Sequence, residues 1–184
     1  MTHLVVAVAP LEFNLLVSTP RGREHDGCSE LWYLLAEVGD ERAEVETTPV
    51  KGLICARTSL DPFEAVRRLR ALFDERPEEF RVIQRVIPIE RVVRTDLAEI
   101  ARAAQELASA KIGPGEKFRI TVEKRHTELG RMEIIKAVAE GIDRPVDLEN
   151  PDKIVLIEVV GALTGIAVIR PGDILRVQVL RRKG

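Results

Sequence analysis

The chain has 184 residues, a formal net charge of −2, a 45% hydrophobic share and a 32% charged share. That length carries one large domain or two small ones with real cores, and the composition excludes a disordered chain. No apolar run approaches the ~20 residues needed to span a membrane, so no membrane partner is expected. Residues 13–18 read as a first strand, preceded by a short apolar run of strand character at 4–9. No basic residue precedes that run and it is very short, so it does not read as a signal peptide. Residues 19–23 form a loop. A helix follows at 29–38, with Leu31, Leu34, Leu35 and Val38 inward and Gly39 as its stop. Residues 43–48 and 52–58 read as two strands hinged around Pro49. Asp61 then caps a helix whose first position is Pro62, with Val66, Leu69, Leu72 and Phe73 as its buried stripe. This β-α-β-β-α order suits a ferredoxin-like layer. A break near Pro77 predicts a first domain over residues 1–78 and a second over 79–184.

In the second half, residues 80–93 are extended and interrupted by Pro88, which predicts an edge strand or a connector. Thr95 or Asp96 caps a helix to about residue 110, with Leu97, Ile100, Ala104 and Leu107 inward. Gly113-Pro114-Gly115 is a turn. Phe118, Ile120 and Val122 then alternate with Arg119, Thr121 and Glu123, a half-buried strand. A basic turn, Lys124-Arg125-His126-Thr127, leads into a helix carrying Met132, Ile135, Val138 and Ile142 at helical spacing. Residues 147–152 form a turn. Residues 154–160 are apolar apart from Glu158, the pattern of a strand covered on both faces. Residues 165–169 and 174–180 close the sheet. The fold class is α/β in the broad α+β sense.

The small net charge hides an asymmetry. Residues 1–79 carry nine Lys and Arg against fifteen Asp and Glu, and residues 80–184 carry nineteen against fifteen. A nucleic-acid footprint should therefore lie mainly in the second half. Cys28 and Cys55 lack CxxC spacing, which argues against a zinc site and a disulfide scaffold and fits a reducing cytoplasm. No metal site is expected. There is no GxGxxG after a strand, no P-loop, no HExxH and no GxSxG. Nothing marks an acetyl-CoA, adenosylmethionine or ATP site, so no cofactor and no catalytic residue are expected. The opposing reading is an enzyme built around Cys28, near His25, or around Glu78 and Glu79, although nothing in the sequence orients such groups.

Cations are the remaining source of function. The first group is Arg119, Lys124, Arg125, His126 and Arg131, in a strand–basic loop–helix unit. Such a unit can aim cationic side chains and helix-start N–H groups at one phosphate. The second is Arg81, Arg85, Arg91 and Arg94, along the extended connector. The third is Arg170, Arg176, Arg181, Arg182 and Lys183. Arg21 and Arg23 flank Gly22 in the first loop, where Arg could clamp a phosphate bidentately. For each group the plainer reading is a solvated face or a salt-bridge network. Exposed aromatics are scarce, which favours reading RNA by shape and phosphate over stacking on bases.

FRITVEKRHTELGRMEII, followed by VDLENPDKIVLIEVVG, closely resembles the THUMP domain, an RNA-binding module of tRNA-modifying proteins. FNLLVSTPRGRE, VKGLICARTSLDP and IPIERVVRTDL extend the likeness to the THUMP proteins that assist a tRNA cytidine acetyltransferase. The resemblance implies an N-terminal ferredoxin-like subdomain followed by a THUMP domain. It implies a tRNA-binding adaptor that recognises the acceptor end and serves an acetyltransferase in trans. It also implies that Lys124 and Arg125 are the family's basic strand end, with His126, Arg119 and Arg131 beside them. It places Arg21 and Arg23 in the helper group's N-terminal motif, against RNA or against the partner enzyme. The same module occurs beside methyltransferases and thiouridine synthases, so a different modifying enzyme is the alternative partner.

Overall fold

The computed structural model describes residues 13–177. The strand expected at 4–9, the end of the strand expected at 174–180, and Arg181, Arg182 and Lys183 lie outside the described residues. In chain order the elements are β1 (Leu15–Ser18), α1 (Glu24–Glu37), β2 (Glu44–Thr47), β3 (Leu53–Arg57), α2 (Pro62–Glu75) and β4 (Arg85–Pro88). They continue with β5 (Arg91–Arg94), α3 (Leu97–Lys111), β6 (Phe118–Arg125), α4 (Arg131–Ala139), β7 (Lys153–Val160), β8 (Leu163–Ile169) and β9 (Leu175–Arg176). The mixed α/β class expected from the sequence is the one observed.

The chain forms two compact units. The first holds the described residues up to Ile89 together with those from Gly172 onward. The second is Glu90–Pro171. The first sheet has the order β2-β3-β1-β4-β9, and each adjacent pair is antiparallel. With α1 and α2 as its crossovers, this is the β-α-β-β-α-β arrangement of a ferredoxin-like layer. Leu31, Leu34, Leu35, Val66, Leu69, Leu72 and Phe73 pack on Leu15, Val17, Ile54 and Val86 in one core. Asp61 caps α2 by accepting the N–H groups of Phe63 and Glu64, as Asp-Pro predicts. Helix α1 begins at Glu24, five residues before its expected start at 29. Gly27 permits this, because a Cβ there would lie 2.5 Å from the Thr19 Cγ2.

The expected division at 78/79 differs from these units. Phe80 is fully buried in the first core and meets Phe73 edge-on, with ring centroids 5.1 Å apart. The extended run after it supplies the fourth strand of the first sheet. That strand, β4, lies between β1 and β9 and is not an edge. Pro88 is tolerated because the Ile89 N–H addresses β1, donating to Asn14 O. The nitrogen of Pro88 therefore faces the other side, beyond the last β9 pair, Val86 with Leu175. Residues 91–94 then form β5 in the second sheet.

The second sheet has the order β5-β8-β7-β6, with β6 and β7 parallel. Every residue of β7 is buried, as the near-continuous apolar run predicts. Val155, Ile157 and Val159 share a core with Phe118, Val122, Ile100, Ala104, Ile134 and Val138. Asp96 caps α3 by accepting the Glu99 N–H at 3.0 Å.

Candidate nucleic-acid interface

Strand β6 aims its cations to two sides. Phe118 and Val122 face the core beneath α3 and α4, and alternation puts Lys124 on that same side, past the core. Arg119 and Arg125 point to the opposite face. The first cation group therefore does not converge as one cluster.

Its members also differ in what holds them. Arg125 Nη1 lies 2.8 Å from Glu158 Oε1, and the two side chains are 22% and 1% exposed. A buried carboxylate needs that partner, so Arg125 is chiefly a structural ion pair. Glu158, the one break in the apolar run of β7, is explained by the same contact. Three others are fixed by carbonyls. Arg119 Nη1 donates to Leu148 O at 2.9 Å, tying β6 to the turn at 147–152. Lys124 Nζ donates to Leu129 O at 3.1 Å. Arg131 Nη1 donates to Val122 O. A carbonyl fixes a side chain without neutralising it, so these three keep their charge toward solvent. His126 is exposed and left-handed, with φ +57, at the turn between strand and helix. The start of α4 is not an empty anion nest, because Glu133 Oε1 accepts the Gly130 N–H at 3.1 Å.

Two of the four arginines in the second group are paired with carboxylates. Arg91 lies 2.6 Å from Glu106 and Arg94 lies 2.7 Å from Glu99. Both are exposed pairs whose exchange for a phosphate costs little. Arg85 sits on β4, with its Nε buried and without a hydrogen-bond partner among the described residues. Arg81 donates its Nε to Glu78 O. Arg91 and Arg94 belong to one compact unit and Arg81 and Arg85 to the other.

In the first unit, Arg21 and Arg23 have different surroundings. Arg23 is paired with Asp26 at 2.8 Å. Arg21, Gly22, His25 and Lys51 line an open cavity of about 490 Å³, together with Thr47 and Thr48. Arg21 and Lys51 have no ion-pair partner among the described residues. The cavity is shaped by Glu24, whose carboxylate accepts the Gly52 N–H at 2.6 Å and the Gly22 N–H at 3.0 Å. Those bonds, the Gly52 one above all, hold the Glu24 carboxyl below its usual range. Gly52 has φ +79, and a Cβ there would lie 3.1 Å from Thr19 O, so the position suits glycine alone. Sequence reasoning missed Lys51 and His25 as neighbours of Arg21. The available signal was the turn Pro49-Val50-Lys51-Gly52, which the fold places beside the first loop.

The thiols are poor nucleophiles. Burial, then Glu46, push Cys28 up, and burial pushes Cys55 up to about 12. Glu79 is ion-paired with Arg76 at 3.2 Å.

The acidic and basic halves of the sequence do not coincide with the two units. The second unit, residues 90–171, has thirteen Lys and Arg against fourteen Asp and Glu. The surplus in residues 80–184 comes from Arg81, Arg85 and Arg176 in the first unit and from three cations outside the described residues. An RNA surface here is a matter of local placement and not of net charge.

Comparison with known proteins adds the family. Residues 94–168 match the family model of the THUMP domain. Three solved structures share the fold across most of the chain. One is PH1313 from Pyrococcus horikoshii, 21% identical, with a TM-score of 0.59 over 86% of this chain and 55% of that one. The second is a 4-thiouridine synthetase in complex with RNA and ATP, 18% identical, with a TM-score of 0.53 over 86% of this chain and 42% of that one. The third is a possible methylase from Clostridium difficile, 14% identical, with a TM-score of 0.53 over 88% and 42%. The chain thus spans about half the length of these structures or less. Among curated proteins no sequence matches. The alternating strand, the basic turn, the VDLENPD turn and the buried β7 all fall within the matched segment, and residues 94–168 of this chain are a THUMP domain.

Proposed function

We propose that the protein is a non-catalytic tRNA-binding adaptor that presents tRNA, held by its acceptor end, to a separate modification enzyme. The enzyme proposed first is a tRNA cytidine N4-acetyltransferase. The observation that carries the RNA reading is the THUMP domain together with Arg119, Lys124 and Arg131, whose charges are fixed by carbonyls and left open to a phosphate. The similarity in fold to a 4-thiouridine synthetase solved with RNA supports it. The acetyltransferase partner is supported by the resemblance of the PRGRE and IPIERVV segments to the helper proteins of that enzyme. The raised thiols of Cys28 and Cys55 weigh against a catalytic cysteine, and two free thiols fit a reducing cytoplasm. Among the described residues no helix is long and apolar enough to cross a membrane.

The test is reconstitution. Purified acetyltransferase and unmodified tRNA are incubated with and without this chain, and acetylcytidine is quantified. The reading expects acetylation to depend on the chain, and on Lys124 and Arg131 within it. Acetylation at the same rate without the chain contradicts it. A second reading, service to a methylating or thiolating enzyme, is favoured by the fold shared with a possible methylase and a 4-thiouridine synthetase. The same assay run with such an enzyme separates the two.

A further inference from the structure

Most cations of the first unit are already committed. Arg23, Arg67, Arg68 and Arg76 pair with carboxylates, and Arg70 and Arg81 donate to carbonyls. Arg21 and Lys51 have no ion-pair partner among the described residues. Both are exposed, and the fold brings them to the lining of one cavity of about 490 Å³. The Arg21 stem runs beside the turn that carries Lys51: a Cβ on Gly52 would lie 3.5 Å from the Arg21 Cγ. Two like charges lining one cavity repel each other, and an anion between them removes that cost.

The frame that holds the two cations is tied together. Glu24 accepts the Gly22 N–H at 3.0 Å and the Gly52 N–H at 2.6 Å, which joins the first loop to the turn at 49–52. The Thr19 N–H donates to Gly52 O at 2.9 Å. Within the turn, the Thr48 hydroxyl donates to Leu53 O at 2.9 Å. These bonds spend the glycine amides and the Thr48 hydroxyl. What the cavity still offers is side chains: the Arg21 fork, the Lys51 ammonium and the exposed His25 ring. Glu24 lines it as well, one carboxylate against two full cations, so the lining stays positive.

Three donor-bearing groups around one space suit a tetrahedral anion better than a planar carboxylate. An internal RNA phosphate has two free oxygens and a single charge. A phosphate monoester has three, with a charge of about −1.5 to −2 near neutral pH. We infer that this cavity receives the 5′-terminal phosphate of the RNA, with Arg21, His25 and Lys51 on its three free oxygens. The inference rests on the reading that the chain holds tRNA by its acceptor end, where the 5′ terminus lies. It gives the first unit a part in that grip.

The test compares one tRNA transcript bearing a 5′-monophosphate with the same transcript after phosphatase, which leaves a 5′-hydroxyl. The full chain is expected to bind the phosphorylated form about tenfold more tightly. Lys51→Ala should lose most of that preference while keeping the parent's affinity for the 5′-hydroxyl form, which also shows that it folds. Lys51→Arg should restore the preference. Equal affinity of the parent for the two ends overturns the inference, as does a Lys51→Ala chain that still discriminates between them. A second arm separates the sources of the phosphate. The Gly22 and Gly52 amide resonances of the labelled full chain are followed with guanosine 5′-monophosphate, with guanosine and with hexaglutamate. A chain that binds neither tRNA contradicts the RNA reading and the RNA source of the phosphate. Resonances that then move with the nucleotide, but not with guanosine and not in Lys51→Ala, leave a site for a free phosphate monoester standing. Resonances that do not move, or that move more with hexaglutamate, overturn the phosphate site itself.

Discussion

Both compact units fix carboxylates on backbone N–H groups and cations on backbone carbonyls, but different members of the two sets shape the loops beside their candidate sites. In the first, carboxylates turn to backbone N–H groups: Glu24 to Gly52, Glu30 to residues 81–83, and Asp40 to Ser59 and Arg42. In the second, cations turn to backbone carbonyls: Arg119 to Leu148, Lys124 to Leu129, Arg131 to Val122 and Arg144 to Ile112. Either arrangement orders loops. Neither neutralises the charge, because the partner is a dipole and not an ion. The second unit therefore keeps the charges of Lys124 and Arg131 at the end of β6. The lesson is that the partner of a charge, more than its count, decides what it can still bind.

The sharpest way to break this comparison is through Arg125, the cation in the β6 group that breaks the carbonyl pattern. Arg125→Ala leaves Glu158 buried at 1% exposure without its guanidinium. Stability should fall by about 3 kcal/mol, read as a lower urea midpoint. A midpoint close to the parent's would return Arg125 to the RNA surface. In the first unit the counterpart is Asp40, which accepts from the Thr58 and Ser59 hydroxyls and from the Ser59 N–H at 2.9 Å. Burial pushes its carboxyl up, but the bonds from Ser59 and Thr58 outweigh this and hold it low. Asp40→Ala should cost about 2 kcal/mol by orphaning those donors.

Acid sharpens the comparison further. The Glu24 carboxyl lies below its ordinary value of 4.5, so its bonds to Gly52 and Gly22 stabilise the fold fully above that pH. The contribution is lost as pH falls through the lower folded value. Glu24→Gln should flatten the fall in stability below about pH 4.5, measured by thermal melts across pH. An unchanged acid profile would show that the loop does not depend on this carboxylate. The smallest effect on stability belongs to Arg94, whose side chain is 79% exposed beside Glu99. Arg94→Ala should leave the urea midpoint where it is.

Much of this organisation was legible in local sequence. Asp61-Pro62 announced the start of α2, the alternation of Phe118, Ile120 and Val122 announced β6, and the apolar run announced β7. Local pattern could not place residues 85–88 in the first sheet, because strand pairing is a long-range choice and Pro88 argued for an edge. It also could not separate Arg125 from Lys124. The two are adjacent, and their roles diverge through Glu158, thirty-three positions away. Lys51 joins Arg21 through the Gly52–Glu24 bond, twenty-eight positions apart. In each case the deciding partner is distant in sequence, and a spacing rule has no access to it.

The central claim is that RNA is held by cations anchored on carbonyls. It is tested most directly by titrating tRNA against the intact chain and a Lys124→Ala chain over a series of salt concentrations. The account predicts salt-sensitive binding for the parent. It predicts weaker binding to every tRNA for the variant, with a slope of log affinity against log salt shallower by about 0.7–0.9. Equal affinity and equal slope for the two proteins would contradict it.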